Sequence, residues 1–137
     1  MTDSDAAALV ERALEARRWS YSPYSRYPVG AALLAASGRV YDGCNIENAA
    51  YPVTVCAERV AAFKAISEGE REFVAIAVAT ENGGSPCGSC RQVLAEFGLE
   101  AEVLIVNGAG QIVRRTSVGA LLPDSFRPEH LPSPEAR

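Results

Sequence analysis

Three thiols that have to meet constrain this chain more than any other feature of its sequence. Cys56-Ala57-Glu58-Arg59 supplies one, and Pro86-Cys87-Gly88-Ser89-Cys90 supplies two at C-x-x-C spacing, which lets both sulfurs converge on one ion. Structural zinc takes four protein ligands in a tetrahedron, whereas catalytic zinc takes three and leaves one position for water. Three cysteines therefore describe a site with an open position, and Glu58 stands where it can handle the protons of that water. Thiolates are soft ligands that select zinc, copper(I) or iron–sulfur clusters over magnesium or calcium. An iron–sulfur cluster usually takes four cysteines, so zinc fits best.

Length and charge narrow the setting. At 137 residues the chain is one domain by length, long enough to bury about two-thirds of the surface its unfolded form exposes, with no disulfide staple required. Apolar residues make up 48% and charged residues 22%, an ordinary balance for a globular protein. A net charge of −4 gives no basic footprint, so nucleic acid as a bulk partner is excluded, while phosphate-free nucleosides are not. Met1 to Asp5 is polar and acidic, without the basic and apolar regions of a secretory signal. No apolar run has membrane-spanning length, so a cytoplasmic protein without a membrane partner is expected. In that reducing setting C-x-x-C reads as metal-binding or catalytic before it reads as a disulfide.

The periodicities predict an order of α-β-β-α-β-α-β-β. Ala7, Val10, Ala13, Leu14 and Arg17 fall at helical spacing between about Asp3 and Trp19, with Asp3 or Ser4 as cap. Val29 to Ala36 is nearly continuous apolar sequence and Arg39 to Cys44 partly alternates, which together read as a hairpin around Ser37-Gly38. A second helix runs from Cys56 to Ser67, with Val60, Ala62, Phe63 and Ile66 inward. Glu72 to Thr80 reads as a central strand, with Phe73, Ala75 and Ala77 alternating against Val74, Ile76 and Val78. A third helix from Cys87 to Phe97 stops at Gly98, strands follow at Val103 to Val106 and Gln111 to Arg114, and Thr116 to Leu122 is a short helix or turn. This order implies one sheet with helices on both faces and a parallel pair flanking the third helix.

The chemistry follows from those placements. Cys56 at one helix start and Cys87 and Cys90 at another place thiolates where unpaired N–H groups and the helix dipole stabilise negative charge. Glu58, two residues after Cys56, leans toward the open position. From there it can take a proton from water and deliver it to a reacting substrate. Arg59 either turns inward to temper the thiolates or faces solvent. Asn45 and Glu47 lie two apart, so on extended backbone they point the same way and either grip vicinal hydroxyls or close a solvated turn. Cys44 reads as a buried small hydrophobe or as a fourth metal ligand. His130, the one histidine, lies in the proline-rich tail, which argues against a histidine-dependent hydrolase.

Taken together, Cys56, Glu58 and Pro86-Cys87-x-x-Cys90 match the zinc deaminase signature. The whole chain resembles the short, three-cysteine cytidine deaminases of pyrimidine salvage. The likeness extends through Tyr24-Ser25-Arg26-Tyr27-Pro28-Val29-Gly30-Ala31-Ala32-Leu33, Gly43-Cys44-Asn45-Ile46-Glu47-Asn48-Ala49-Ala50-Tyr51, Arg91-Gln92 and Leu121-Leu122-Pro123-Asp124-Ser125-Phe126. It implies a three-layer α/β/α fold with a five-stranded mixed sheet. It also implies a catalytic domain over residues 1–126, with 127–137 as a partly disordered proline-rich tail. One zinc per subunit is expected on Cys56, Cys87 and Cys90, with Glu58 shuttling protons and Arg59 tuning thiolate charge. The activity implied is hydrolysis of cytidine and 2′-deoxycytidine to the uridines and ammonia. For the substrate it implies Asn45 and Glu47 on the ribose, the Ala57 N–H and Ser85 carbonyl on the base edge, and Tyr27 against the nucleoside. In a homotetramer with shared sites, Phe126 would stack on the base from a neighbouring chain, and Ala49 and Tyr51 would contribute across an interface. Tyr27 departs from the phenylalanine usual in the family, and its hydroxyl requires a partner. Two alternatives stand beside this reading: a blasticidin-type aminonucleoside deaminase, and a non-enzymatic zinc module with Cys44 as fourth ligand.

Overall fold

Thr2 begins the structure by capping the first helix. Its hydroxyl accepts from the Asp5 N–H while the Asp5 carboxylate accepts from the Thr2 N–H, both at 3.0 Å, a reciprocal pair that satisfies two orphan donors. The computed structural model describes residues 1–133. Its elements are α1 (Asp3–Arg17), β1 (Gly30–Ala35), β2 (Val40–Cys44), α2 (Ala57–Ser67), β3 (Phe73–Ala79), α3 (Gly88–Gly98), β4 (Glu102–Val106), β5 (Ile112–Ser117) and α4 (Val118–Leu121). Single 3-10 turns occur at Tyr51–Val53 and Pro128–His130. Of the tail expected to be partly disordered at 127–137, residues 127–133 are described and include the second 3-10 turn, and 134–137 lie outside the described residues.

The strands form one sheet in the order β2-β1-β3-β4-β5, mixed as expected: β3 and β4 are parallel and the other neighbours antiparallel. Helices cover both faces. On one, Ala6, Leu9, Val10 and Ala13 of α1 pack on Ala32, Ala75, Ala77 and Leu104. On the other, α2, α3 and α4 pack on Leu33, Ile76, Val78, Val103 and Ile105. β3 is apolar throughout because it lies in the middle with both faces covered.

Small residues decide how closely the layers approach. A Cβ on Gly30 would lie 2.1 Å from the Ala13 carbonyl, and one on Gly43 would lie 2.7 Å from the Ala57 carbonyl and the Ala61 nitrogen. Each helix therefore rests almost backbone to backbone on its strand. That contact corrects the predicted inward faces. In α2 the buried positions are Ala57, Glu58, Ala61, Ala62 and Ala65, while Phe63 is 47% exposed and Val60 and Ile66 are half-buried. At such an approach only alanines fit beneath the helix, and the bulky residues are turned to its flanks and outer side. In α1 the inward set is Ala6, Leu9, Val10, Ala13 and Ala16, with Ala7 exposed and Leu14 half-buried, and the cap is Thr2.

Two further corrections concern strands. Ala35 pairs with Phe73 and Leu34 with Ala75, so Val74 is the extra residue of a β-bulge. The bulge exchanges the predicted faces of the first two residues only: Phe73 shares a face with Ile76 and Val78, while Val74 joins Ala75 and Ala77 toward α1. β5 continues to Ser117, held by Glu102↔Ser117 and Val103↔Thr116. As an edge strand with Val113, Arg114 and Arg115 all exposed, it lacks the burial pattern that would have announced its length.

Candidate active site

Both thiol segments sit at helix starts, one residue earlier than the spacing predicts. Cys56 is the N-cap of α2 and Cys87 the N-cap of α3, each on extended backbone, and the Cys87 sulfur accepts from the Cys90 N–H at 3.4 Å. Sγ of Cys56 lies 3.8 Å from that of Cys87, and Sγ of Cys87 lies 3.4 Å from that of Cys90. The three ligand atoms all fall within 4.8 Å of one another. Sulfurs bound tetrahedrally at about 2.3 Å from a metal stand about 3.8 Å apart, so the trio is spaced for one zinc ion. Among the described residues Cys44 is not part of this group. It lies in β2, where burial pushes its thiol pKa up.

Electrostatics already favour charge at this point. Hydrogen bonding from the Cys90 thiol, aided by Arg59 and Cys87, holds Cys56 down at about 5 against the opposing effect of burial. Cys90 is shifted upward, first because it is the donor to Cys56 and then because it is buried. Arg59 Nη2 donates to Cys56 Sγ at 3.4 Å, so its guanidinium faces the thiolates and not solvent. Burial pushes the Glu58 carboxyl, only 4% exposed, up to about 7, and the negative Cys56 adds in the same direction. A carboxyl poised there can hold or release a proton near neutral pH, as a general acid–base requires.

Between these helix starts and the loop from Ser20 to Val29 opens a cleft of about 290 Å³. Tyr27, Asn45, Glu47, Cys56, Ala57, Glu58, Ser85 and Cys87 all line it. Asn45 and Glu47 are buried, and their polar atoms are engaged with the chain. Asn45 Nδ2 donates to the Tyr27 carbonyl at 2.9 Å, while its Oδ1 accepts from the Val29 N–H at 2.9 Å and from the Ser20 hydroxyl. Glu47 Oε1 accepts from the Tyr24 and Ser25 N–H groups at 2.9 and 3.0 Å, and Oε2 from the Ser25 hydroxyl. These bonds, those to Ser25 first, hold the Glu47 carboxyl below its usual range.

The remaining predicted residues lie elsewhere. Tyr51, 70% exposed, borders an adjoining hollow with Tyr24 and Thr54, and meets the Tyr24 ring edge-on at 5.8 Å. Ala49 is exposed, and Phe126, 58% exposed, packs near His130 at 5.6 Å without reaching the cleft. Four contributors were not foreseen from the sequence. Ser25 clasps Glu47; Thr80, buried at the end of β3, accepts from the Gly84 N–H at 2.7 Å; Asn82 accepts from the Tyr27 hydroxyl at 2.5 Å. Arg91 donates to the Pro86 carbonyl, the Leu121 carbonyl and the Ser85 hydroxyl, which clamps the turn that leads into Cys87. Its position one turn after Cys87 and its place in the Arg91-Gln92 stretch of the family likeness were the signals available in the sequence.

Comparisons with known proteins agree with this site. The family model for the cytidine and deoxycytidylate deaminase zinc-binding region matches residues 3–106. Cytidine deaminase from Sporosarcina psychrophila is 51% identical over 130 residues, covering 93% of this chain and 95% of that one. Cytidine deaminase from Mycobacterium tuberculosis is 42% identical over 134 residues, covering 96% and 97%. Among solved structures, cytidine deaminase from Burkholderia pseudomallei superposes with a TM-score of 0.84 at 48% identity, over 92% of this chain and all of that one. The Mycobacterium tuberculosis structure gives 0.79 at 40% identity, over 92% and 98%.

Proposed function

This chain belongs to the cytidine and deoxycytidylate deaminase family, and from that membership we propose how its residues divide the work of hydrolysing cytidine and 2′-deoxycytidine to the corresponding uridines and ammonia. The enzyme is a zinc-dependent cytidine deaminase of nucleoside salvage, with one zinc per subunit. The single observation that carries the assignment of roles is a buried carboxyl, Glu58, beside three sulfurs spaced for one ion at the wall of a small-molecule cleft.

Cys56, Cys87 and Cys90 hold the metal, which when bound supplies Lewis acidity that makes water reactive near neutral pH. Three thiolates would weaken that acidity, and the N-termini of α2 and α3 together with Arg59 offset part of their charge. Glu58 takes a proton from the attacking water and places it on N3 of the cytosine as a C4–O bond forms. It then moves the proton of the new C4 hydroxyl to the amine, and the C4–N bond breaks as the C4=O carbonyl forms and ammonia leaves. Water and nucleoside are thus converted to uridine and ammonia with no other reactant.

The base edge is met by the Ala57 N–H, one of the unpaired donors in the first turn of α2, and by the Ser85 carbonyl. Glu47 keeps one acceptor site, on Oε2, for a ribose hydroxyl beyond the three bonds it accepts from its own chain, and Asn45 holds the loop against which the sugar rests. Tyr27 forms the side of the cleft against the nucleoside. Phe126, Tyr51 and Ala49 are exposed here, which suits residues that complete the site of a neighbouring subunit in a homotetramer. Among the described residues no helix is long and apolar enough to cross a membrane; the working location we infer is the cytoplasm, where nucleosides are salvaged.

The test mixes purified protein with cytidine and follows the ultraviolet change, with zinc content measured on the wild type and on Glu58→Gln. Wild-type turnover is expected, and the variant should keep its zinc while losing about 10²–10⁴-fold in rate. Zinc-loaded wild type that leaves both cytidine and deoxycytidine untouched would overturn the reading.

A further inference from the structure

We propose that Asn82 is a positioning residue for nucleoside binding, acting through the hydroxyl of Tyr27; the inference rests on the deaminase reading above. Tyr27 lines the cleft, and its backbone is held from one side by Asn45, which binds its carbonyl. Its side chain makes one hydrogen bond among the described residues, the 2.5 Å contact from its hydroxyl to Asn82 Oδ1. That contact crosses from the Ser20–Pro28 loop to the segment after β3 that carries Ser85 and leads to Cys87.

The bond serves Tyr27 more than it serves the Asn82 segment, which is anchored independently. Asn82 forms a backbone bridge with Asn107, the Glu81 carbonyl accepts from the Gly108 N–H at 3.1 Å, and the Gly84 N–H donates to Thr80. None of these needs the Asn82 side chain. The space around the hydroxyl is also fitted: a Cβ on Gly84 would stand 2.5 Å from the Tyr27 oxygen. Gly84 does not occupy the left-handed region, so this restriction is one of room and not of backbone conformation. On the far side, Arg26 adopts a φ of 55°, a left-handed turn immediately before Tyr27. The aromatic side chain is thus set in place by a backbone turn behind it, a carbonyl bond at its root and a hydroxyl bond at its tip.

A fixed side chain that shapes the cleft in ground and transition states alike acts on binding and leaves the chemical step alone. Tyr27→Phe, Asn82→Ala and Gly84→Ala should each raise KM for cytidine and Kd for uridine, read by calorimetry, by about three- to tenfold, the range of one partly exposed hydrogen bond. kcat should stay within about twofold. The double variant Tyr27→Phe/Asn82→Ala should bind no more weakly than the weaker single variant, because both remove the same bond. Unchanged KM and Kd in Asn82→Ala, a product of the two single effects in the double variant, or a fall in kcat at constant KM would each overturn the proposal. Tyr27→Phe loses one hydroxyl only, so it remains informative if Asn82→Ala folds poorly. Wild-type turnover in the same assay separates failure of this inference from failure of the deaminase reading.

Discussion

The two walls of the cleft are built by different means. The thiol wall hangs on regular structure: Cys56 and Cys87 cap two helices that pack on the sheet, and Glu58 is buried in the first turn of α2. The loop wall, from Ser20 to Val29, has no helix or named strand, and its shape rests on two buried side chains, Asn45 and Glu47, that collect its backbone groups. The first wall gains rigidity from packing and the second from a few hydrogen bonds. The thiol wall should therefore fail in its chemistry when altered, and the loop wall in its affinity and its response to pH.

The largest effect belongs to the thiol wall. Cys90→Ser replaces the buried thiolate with a poor zinc ligand, so the protein should purify with little zinc and no measurable turnover; bound zinc at wild-type stoichiometry would break the assignment. Next comes Asn45→Ala, which frees the Tyr27 carbonyl and the Val29 N–H. It should cost about 2–3 kcal/mol of stability and raise KM while zinc content stays at wild-type level, as read by thermal melting and metal analysis.

A smaller effect is expected from acid. Because its hydrogen bonds lower the Glu47 pKa in the folded protein, its contribution is fully present above the unfolded value of 4.5 and is lost as pH falls through the lower folded value. Protection of the Tyr24 and Ser25 amides relative to their intrinsic exchange rates should fall below about pH 4.5, and Glu47→Gln should remove that acid step. The smallest change tested is Cys44→Ser. Since Cys44 lies apart from the thiol trio, zinc should remain at one per chain with stability altered by no more than about 1–2 kcal/mol. Loss of zinc in that variant would merge β2 into the metal site and erase the contrast.

The same contrast explains what the sequence made legible. C-x-x-C followed by helical periodicity is a local pattern, so Cys87, Cys90 and, with one more motif, Cys56 and Glu58 could be read in advance. The single sheet, the β1–β2 hairpin and the parallel pair were equally accessible, because β1 and β3 are apolar on both faces and one helix, α3, separates that pair, whereas the strand order was not. The loop wall was partly hidden. Asn45 and Glu47 were singled out, but nothing in their spacing shows that they would be occupied by Tyr24, Ser25, Tyr27 and Val29. Asn82 meets Tyr27 across a sequence gap that no periodicity spans. The exposed Phe63 was misplaced for a related reason: helix pattern alone does not reveal that Gly43 brings α2 so close that only alanines fit beneath it.

The separation of Cys56 from Cys87 by the whole of β3 has a consequence for how the chain matures. Neither thiol segment can complete the trio until the central strand has been laid into the sheet and α3 has returned to the same end. A preformed three-sulfur site is therefore absent from the extended chain, and metal capture is coupled to a long-range closure of the fold. Zinc then acts as a clasp on a loop that would otherwise reopen at an entropic advantage. The metal-loaded enzyme should unfold more slowly than the chelated one.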